Sequence, residues 1–161
     1  MILLLLGSNL GNRQLVLHEA RINISKNIGE IVRKSSVYET APWGFNVSEL
    51  FLNQVVEIKT LLQPGMLLNS LLEIETSMGR LRNRKTYQSR IIDIDILFYN
   101  DFVISEPDLI LPHPRLHLRR FTLIPLNEIA SEFMHPVFGK TINTLLAECK
   151  DSLVVNKIYS G

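Results

Sequence analysis

A short run of isoleucines and acids in the middle of the chain constrains the fold most. Residues 91–98, IIDIDILF, contain no Gly or Pro and are rich in the β-branched and aromatic residues that favour a strand. Because side chains alternate between the two faces of a strand, Asp93 and Asp95 point to the same side, with Cα atoms roughly 6.6 Å apart. The isoleucines beside them cover the other face. The pattern predicts a core strand that presents two carboxylates on one face of a sheet.

Two acids on one face of a core strand need a compensating partner, because unpaired buried charge is unfavourable. Mg²⁺ is one such partner, since it prefers one or two carboxylates together with water and phosphate oxygens. A basic segment directly upstream supplies donors for phosphate groups: Arg80, Arg82, Arg84, Lys85 and Arg90. Acids for a metal and arginines for phosphate indicate a phosphoryl-transfer site. The alternative is a surface ion-pair network between the same acids and arginines.

Length and composition predict one domain, spanning residues 1–161, because 161 residues of which 46% are hydrophobic can form a sizeable core. The net charge of +1 provides no overall field for nucleic acid or an anionic membrane. The single cysteine, Cys149, allows no disulfide within the chain and is typical of a reducing compartment. The apolar start, MILLLL, lacks the basic segment of a signal peptide and predicts a buried first strand covered on both faces. We therefore expect a soluble, cytoplasmic monomer with no nucleic-acid or membrane partner.

The order of the predicted elements indicates a fold class. Apolar spacing and turn residues predict strand–helix–strand–strand–helix–strand, with strands at 2–6, 31–40, 51–60 and 91–98, a helix from about residue 12 and a helix from residue 64 to Gly79. This is the α+β, ferredoxin-like split βαβ plan, a mainly antiparallel sheet with helices packed on one face. The C-terminal third adds further elements, which are a short edge strand at 102–104, a helix over 116–126, a turn at 127–132 and a helix over 141–149.

Two groups of side chains are candidates for ligand contacts. Thr40 and Asn53 lie at the ends of two predicted strands that border one loop, and Trp43 and Phe51 are close in sequence. An amide with aromatic neighbours is suited to a flat heterocycle, whereas the alternatives are loop capping for Asn53 and ordinary core packing for the aromatic residues.

A charge and a histidine in unusual positions form the second group. Glu75 interrupts the apolar stripe of the second helix, which predicts either a side chain that reaches the rim or one with a partner, such as a nearby arginine or a ligand hydroxyl. His113 stands between two prolines, which hold its ring in one direction. With Arg115, Arg119 and Arg120 nearby, it is either an anion contact or a structural residue.

Seven segments of the chain, in order, together resemble one enzyme family. They are GSNLGN at 7–12, SSVYETAPWG at 35–44, FLNQVVEI at 51–58, GRLR at 79–82, RIIDIDIL at 90–97, LPHPRLHLRRF at 111–121 and IPLNEIA at 124–130. The family is the 6-hydroxymethyl-7,8-dihydropterin pyrophosphokinases of folate biosynthesis. The resemblance implies that the hydroxymethyl oxygen of the pterin attacks the β-phosphorus of ATP, which transfers pyrophosphate and releases AMP.

The resemblance also implies roles for individual residues. Asp93 and Asp95 match a pair that holds two Mg²⁺ ions, and such ions lie about 3.5–4 Å apart. With these acids, Arg80 and Arg90 match catalytic positions. The positions that match ATP contacts are Glu75, Arg82, Tyr87, Arg90, Ile96, His113 and Arg119. The positions that match pterin contacts are Thr40, Ala41, Trp43, Phe51, Asn53 and Phe121. No cofactor beyond Mg²⁺ is implied.

The chain departs from the family pattern in three places. Tyr87-Gln88-Ser89 stands where a Trp-Gly-Pro run is common, Leu72 where some members have Gln, and Ala41 where a proline is usual. Two rival functions come from other classes. A metal-dependent nucleotidyl transferase or nuclease would also use the two acids, but it requires a wider basic surface than a net charge of +1 provides. A non-catalytic binding module would use the acids only as ion-pair partners.

Overall fold

The computed structural model describes residues 1–41, 50–79 and 91–159. In chain order the elements are β1 (Ile2–Ser8), α1 (Arg13–Asn27), β2 (Glu30–Lys34), β3 (Val37–Thr40), β4 (Phe51–Lys59), α2 (Pro64–Ser77), β5 (Asp93–Tyr99), β6 (Ile104–Ser105), β7 (Ile110–Leu111), a 3₁₀ turn (Leu116–Leu118), α3 (Arg120–Ala130), α4 (Ile142–Glu148) and β8 (Val155–Tyr159). Five predicted site residues lie outside the described residues, namely Trp43, Arg80, Arg82, Tyr87 and Arg90.

The main sheet is antiparallel, with strand order β5-β1-β4-β3-β8, and β2 also pairs with β4. This order, with α1 joining β1 to β2 and α2 joining β4 to β5, is the predicted ferredoxin-like arrangement. The predicted strand 31–40 is two strands, because the chain breaks at Ser35, where the backbone N–H of Val55 donates to Ser35 Oγ at 3.0 Å. The Ser35 N–H still donates to the Val55 carbonyl at 2.8 Å, so both halves stay on the same edge of β4.

Helices cover both faces of the sheet. On one face, Leu4 and Leu6 of β1 pack in a core with Leu17 of α1 and Leu71 of α2. On the other face, the alternate residues Leu3 and Leu5 pack with side chains of the C-terminal helices, among them Leu123, Leu126, Ile142 and Leu145. Every residue of β1 is buried. The prediction of a central first strand covered on both faces is confirmed.

The ends of the first two helices follow the predicted signals. Asn12 caps α1, since its side chain accepts a hydrogen bond from the backbone N–H of Leu15 at 3.1 Å. Pro64 begins α2, and Gly79 follows that helix with φ +96°, in the left-handed region that favours glycine. Among the described residues, no helix is long and apolar enough to cross a membrane.

Two predictions for the C-terminal third are wrong in detail, and one strand there was not predicted. The turn predicted from residue 127 is helix up to Ala130, because Leu126 and Ala130 are buried against the sheet. The edge strand predicted at 102–104 lies instead at Ile104–Ser105, where it pairs with β7. The strand β8 was not predicted, since most of its residues are polar or exposed and its partner β3 is distant in sequence.

Candidate active site

One row of residues across the sheet defines the site. Gly7 of β1 pairs with Asn53 of β4 on one side and with Asp93 of β5 on the other. Directly opposed residues of antiparallel strands point to the same face, so the amide and the carboxylate flank a position that has no side chain. A Cβ atom at Gly7 would lie 3.1 Å from Asn53 Oδ1. The row lies on the face covered by α3 and α4, because Leu5, two residues earlier, packs there.

The two acids of β5 have the predicted orientation. Ile92, Ile94 and Ile96 are buried in the core on the α1 and α2 side, whereas Asp93 and Asp95 are partly exposed on the opposite face. Asp95 pairs with Leu5, one step along the sheet from the Gly7 row. Within the described residues, no group of three or more His, Cys, Asp or Glu side chains is placed to hold a metal ion. Two carboxylates on one open face fit the protein's share of a Mg²⁺ site, in which water and phosphate oxygens supply the other ligands.

Glu75 joins α2 to the strand that carries these acids. Its side chain is 3% exposed, and its Oε1 accepts a hydrogen bond from the backbone N–H of Ile94 at 2.8 Å. Ile94 lies between Asp93 and Asp95, so this bond stabilises the segment that aims both carboxylates. The predicted partner of Glu75 is therefore at least in part a backbone amide, which no local sequence pattern reveals.

His113 is held by two backbone contacts. Its backbone N–H donates to the carbonyl of Leu97 at 3.0 Å, and its ring Nδ1 accepts from the backbone N–H of Arg115 at 3.1 Å. Burial, together with the positive charges of Arg119 and Arg115, lowers the pKa of His113 to about 4. The imidazole is therefore neutral at pH 7, with its proton on Nε2, because Nδ1 is an acceptor. The ring is fixed in one direction, as predicted.

A cavity of about 270 Å³ at the open edge of β5 brings two of the predicted nucleotide contacts next to one of the predicted metal ligands. Asp95, Ile96 and His113 line it, although they come from two separate segments of the chain. The cavity is also lined by Leu68, Ile94, Pro107, Asp108, Leu109, Ile110 and Pro114. Asp108 was not predicted from the sequence, because an acid between a proline and a leucine in an irregular loop has no distinctive pattern.

The predicted pterin contacts meet on the face that carries Asn53. Thr40 and Asn53 are both 3% exposed, and Asn53 Nδ2 donates to Thr40 Oγ1 at 3.2 Å. Phe51 pairs with Thr40 and is half-buried, while Ala41 is exposed beside them. Phe121, at the start of α3, packs against the core on this same face. The structure thus brings Thr40, Asn53, Phe51 and Phe121 to one side of the sheet.

Arg119 precedes α3 and contacts the aromatic residue of that helix. Its Cζ lies 5.6 Å from the centroid of the Phe121 ring, a distance at which the guanidinium charge is attracted to the ring face. One residue further, the N–H of Arg120 donates to Asp151 Oδ2 at 3.0 Å. This segment therefore presents a cation next to an aromatic ring.

A further residue of α3, Glu128, is part of the support of the site. Its Oε1 accepts from the N–H of Ser36 at 3.0 Å and from Ser36 Oγ at 2.7 Å, and its Oε2 accepts from the Tyr38 hydroxyl at 2.6 Å. Burial, and then the hydrogen bond and charge of Glu128, raise the pKa of Tyr38 to about 12. Because Tyr38 is directly opposite Asn53, these bonds tie α3 to the strands that carry Thr40 and Asn53. In the sequence, the only signal for Glu128 was its position within the family-like segment IPLNEIA.

Proteins named as pterin pyrophosphokinases are similar to this chain in sequence, and a solved structure is similar to it in fold. A family model described as 7,8-dihydro-6-hydroxymethylpterin-pyrophosphokinase matches residues 3–131. A 2-amino-4-hydroxy-6-hydroxymethyldihydropteridine pyrophosphokinase from Methylorubrum extorquens is 38% identical over 148 residues, which cover 91% of this chain and 92% of that protein. The enzyme of the same name from Bacillus subtilis is 42% identical over 128 residues, which cover 79% and 76%. The crystal structure of Plasmodium falciparum HPPK-DHPS with STZ-DHP superimposes with a TM-score of 0.76 at 21% identity, over 91% of this chain and 42% of that one, and it shows the shared fold.

Proposed function

The chain belongs to the 7,8-dihydro-6-hydroxymethylpterin-pyrophosphokinase family, and from this premise we propose which reaction it performs and with which residues. It transfers pyrophosphate from ATP to the hydroxymethyl group of 6-hydroxymethyl-7,8-dihydropterin and releases AMP, a step of folate biosynthesis. The observation that carries the proposal is the row Asn53, Gly7 and Asp93. It combines an amide for recognition, a position open to a ligand and a carboxylate for a metal ion on one face of the sheet.

The pterin ring occupies the part of the site at the ends of β3 and β4. Thr40 and Asn53 pair with the polar edge of the ring, and Phe51 and Phe121 lie against its apolar faces. Ala41 and Trp43 border the same pocket. A buried polar pair of this kind rejects analogues that lack the matching edge atoms, since the protein groups would then remain unpaired.

The nucleotide occupies the cavity beside β5. Asp93 and Asp95 would hold two Mg²⁺ ions, and the chemistry that Mg²⁺ would supply there is neutralisation of the triphosphate charge. The neutral imidazole of His113 donates a hydrogen bond from its Nε2–H to a phosphate oxygen, and Arg119 adds a positive charge. Glu75 holds the strand of the acids in place, and Ile96 contributes an apolar wall. Arg80, Arg82, Tyr87 and Arg90 are further proposed contacts to ATP from outside the described residues.

The reaction is a single displacement at the β-phosphorus of ATP. The hydroxymethyl oxygen forms a bond to that phosphorus and loses its proton to solvent, while the bond from the β-phosphorus to the oxygen that links it to the α-phosphate breaks, so that AMP leaves. The protein contributes mainly position and fixed charge, because no covalent intermediate is required. The chain acts as a cytoplasmic monomer, without nucleic acid or membrane as a partner.

A coupled assay for AMP tests the proposal directly. The protein is incubated with ATP and Mg²⁺, with and without 6-hydroxymethyl-7,8-dihydropterin, and we expect AMP only in the presence of the pterin. Formation of ADP in place of AMP would mean transfer of the γ-phosphate and would overturn the proposed reaction. AMP formation that does not depend on the pterin would indicate a different acceptor.

A further inference from the structure

Asn9 is a buried polar residue to which the proposed function gives no role so far. Its side chain is 3% exposed. Neither its Oδ1 nor its Nδ2 forms a hydrogen bond within residues 1–41, 50–79 and 91–159. Buried amides are nearly always hydrogen-bonded, because water is lost on burial and must be replaced by another partner. An amide that is buried and unpaired without ligand is therefore a candidate to be paired by a ligand.

The position of Asn9 places it beside the proposed substrate. It directly follows β1, two residues after Gly7, so the alternation of side chains along the strand directs both to the same face. The last pair between β1 and β4 joins Ser8 to Leu52, which brings Asn9 to the level of Phe51. On the other side, Ser8 Oγ donates to the carbonyl of Ile91 at 2.6 Å and so holds the end of β1 next to the start of the acid strand.

Asn9 thus comes between the two halves of the site. Phe51 and the Thr40–Asn53 pair lie on one side of it, and the segment leading into Asp93 lies on the other. A pterin that is bound at Asn53 with its hydroxymethyl group towards Asp93 crosses Gly7, and Asn9 lies two residues further along the chain, at the edge of this path. The ring atoms next to the hydroxymethyl group are the part of the substrate that would meet Asn9.

We propose that Asn9 is a further substrate-binding residue, whose amide hydrogen-bonds the pterin ring next to the hydroxymethyl group and so orients that group towards Asp93. This inference rests on the proposed function. An amide supplies both a donor and an acceptor, which matches a heterocycle whose ring nitrogens include both kinds. The contact restricts rotation of the substrate in its own plane, which Thr40 and Asn53 at the far edge control less well.

The test combines binding with stability in the variant Asn9→Leu, whose side chain has nearly the same size but no polar atoms. Calorimetric titration with the pterin, in the presence of Mg²⁺ and a non-hydrolysable ATP analogue, should show a Kd raised by about tenfold. The Tm of the free protein should stay the same or rise, because the variant removes a buried amide that has no partner. A structural role predicts the opposite pair, a lower Tm with an unchanged Kd, and that result would overturn the inference.

Two further variants complete the test. Asn9→Ala removes the amide without adding bulk, so it answers the question if leucine at this position prevents folding, and we expect the same weakened binding. Asn69→Leu changes an exposed asparagine of α2 and should leave the Kd unchanged. If the unmodified protein binds the pterin and both Asn9 variants bind it equally well, the role of Asn9 is overturned and the proposed function stands. If the unmodified protein does not bind the pterin, the proposed function fails together with it.

Discussion

The two faces of β5 differ in burial and in charge. On one face, Ile94 and Ile96 are buried in a core with apolar residues of α1 and α2. On the other face, Asp93 and Asp95 remain partly exposed, and Asp95 lines a cavity with His113. Between residues 93 and 96 the strand therefore places apolar side chains on one face and two acids on the other. Because both faces share a single backbone, the packed face positions the acidic face, which is the proposed reactive face.

Replacing either acid of β5 should have the largest effect on activity and only a small effect on stability. We expect Asp93→Asn or Asp95→Asn to lower kcat for AMP release by about a thousandfold or more, since the carboxylate charge that is proposed to hold Mg²⁺ is lost. The Tm should change little, because asparagine fills the same space on a partly exposed surface. Asp101→Asn, in an exposed turn, is the matched control and should keep full activity. Normal turnover in both site variants would exclude these acids from the reaction.

A substitution that creates a cavity in the core beneath α1 and α2 should lower stability and leave activity nearly unchanged. Leu4 is fully buried between the sheet and the first two helices, and Leu4→Ala should lower the free energy of unfolding by about 2–5 kcal/mol. The kcat of the folded fraction should stay within about twofold. Urea denaturation and the AMP assay, run on the same preparation, check both statements. The control is Leu61→Ala, at a residue that is 99% exposed, for which unfolding should be nearly unchanged.

The bonds between α3 and β3 test how the reactive face is held together. Tyr38→Phe removes the 2.6 Å hydrogen bond to Glu128 and should lower the free energy of unfolding by about 1–3 kcal/mol, because the acceptor is charged. Glu128→Gln should have an effect of similar size, and the double variant should cost less than the sum of the two. Glu132→Gln, at an exposed position close to the end of the same helix, serves as the control. Additive effects in urea denaturation would contradict the coupling.

The free energy of unfolding should fall gradually as the solution is acidified, because two histidines have lowered pKa values in the folded protein. Burial lowers the pKa of His135 to about 4, and burial with the charges of Arg119 and Arg115 does the same for His113. An unfolded chain takes up these protons at about pH 6.5, so between pH 6.5 and pH 4 the unfolded state binds more protons. The free energy of unfolding should therefore fall as the pH falls through this window.

The variant His135→Asn provides the check on this pH dependence. Asparagine keeps an acceptor near the position of Nδ1, which receives the N–H groups of Val137 and Phe138, but it does not titrate. Thermal melts between pH 7 and pH 4 should show a shallower loss of Tm than in the unmodified protein. His18→Gln, at an exposed histidine, is the control. An equally steep loss in His135→Asn would mean that other groups cause the acid sensitivity.

Local patterns were sufficient to predict most of the fold from the sequence. The alternation in residues 91–98 identified both the strand and its two chemically different faces, because a period of two is a property of the strand itself. Caps and breakers such as Asn12, Pro64 and Gly79 act within a few residues, and so the ends of α1 and α2 were predictable. The prediction failed where long-range contacts decided, as in β8 and in the last turn of α3.

The βαββαβ order, the two-faced acid strand and the family resemblance depend on neighbouring residues, and so they could be predicted from the sequence. Three other features exist only in the folded chain: Glu75 accepts from the N–H of Ile94, Gly7 separates Asn53 from Asp93, and Asn9 is buried without a hydrogen bond in the described part of the chain. These contacts depend on strand register and on helix placement, which join residues far apart in the chain. Hydrophobic periodicity carries no information about such pairs, so the partners become visible only when the sheet is assembled.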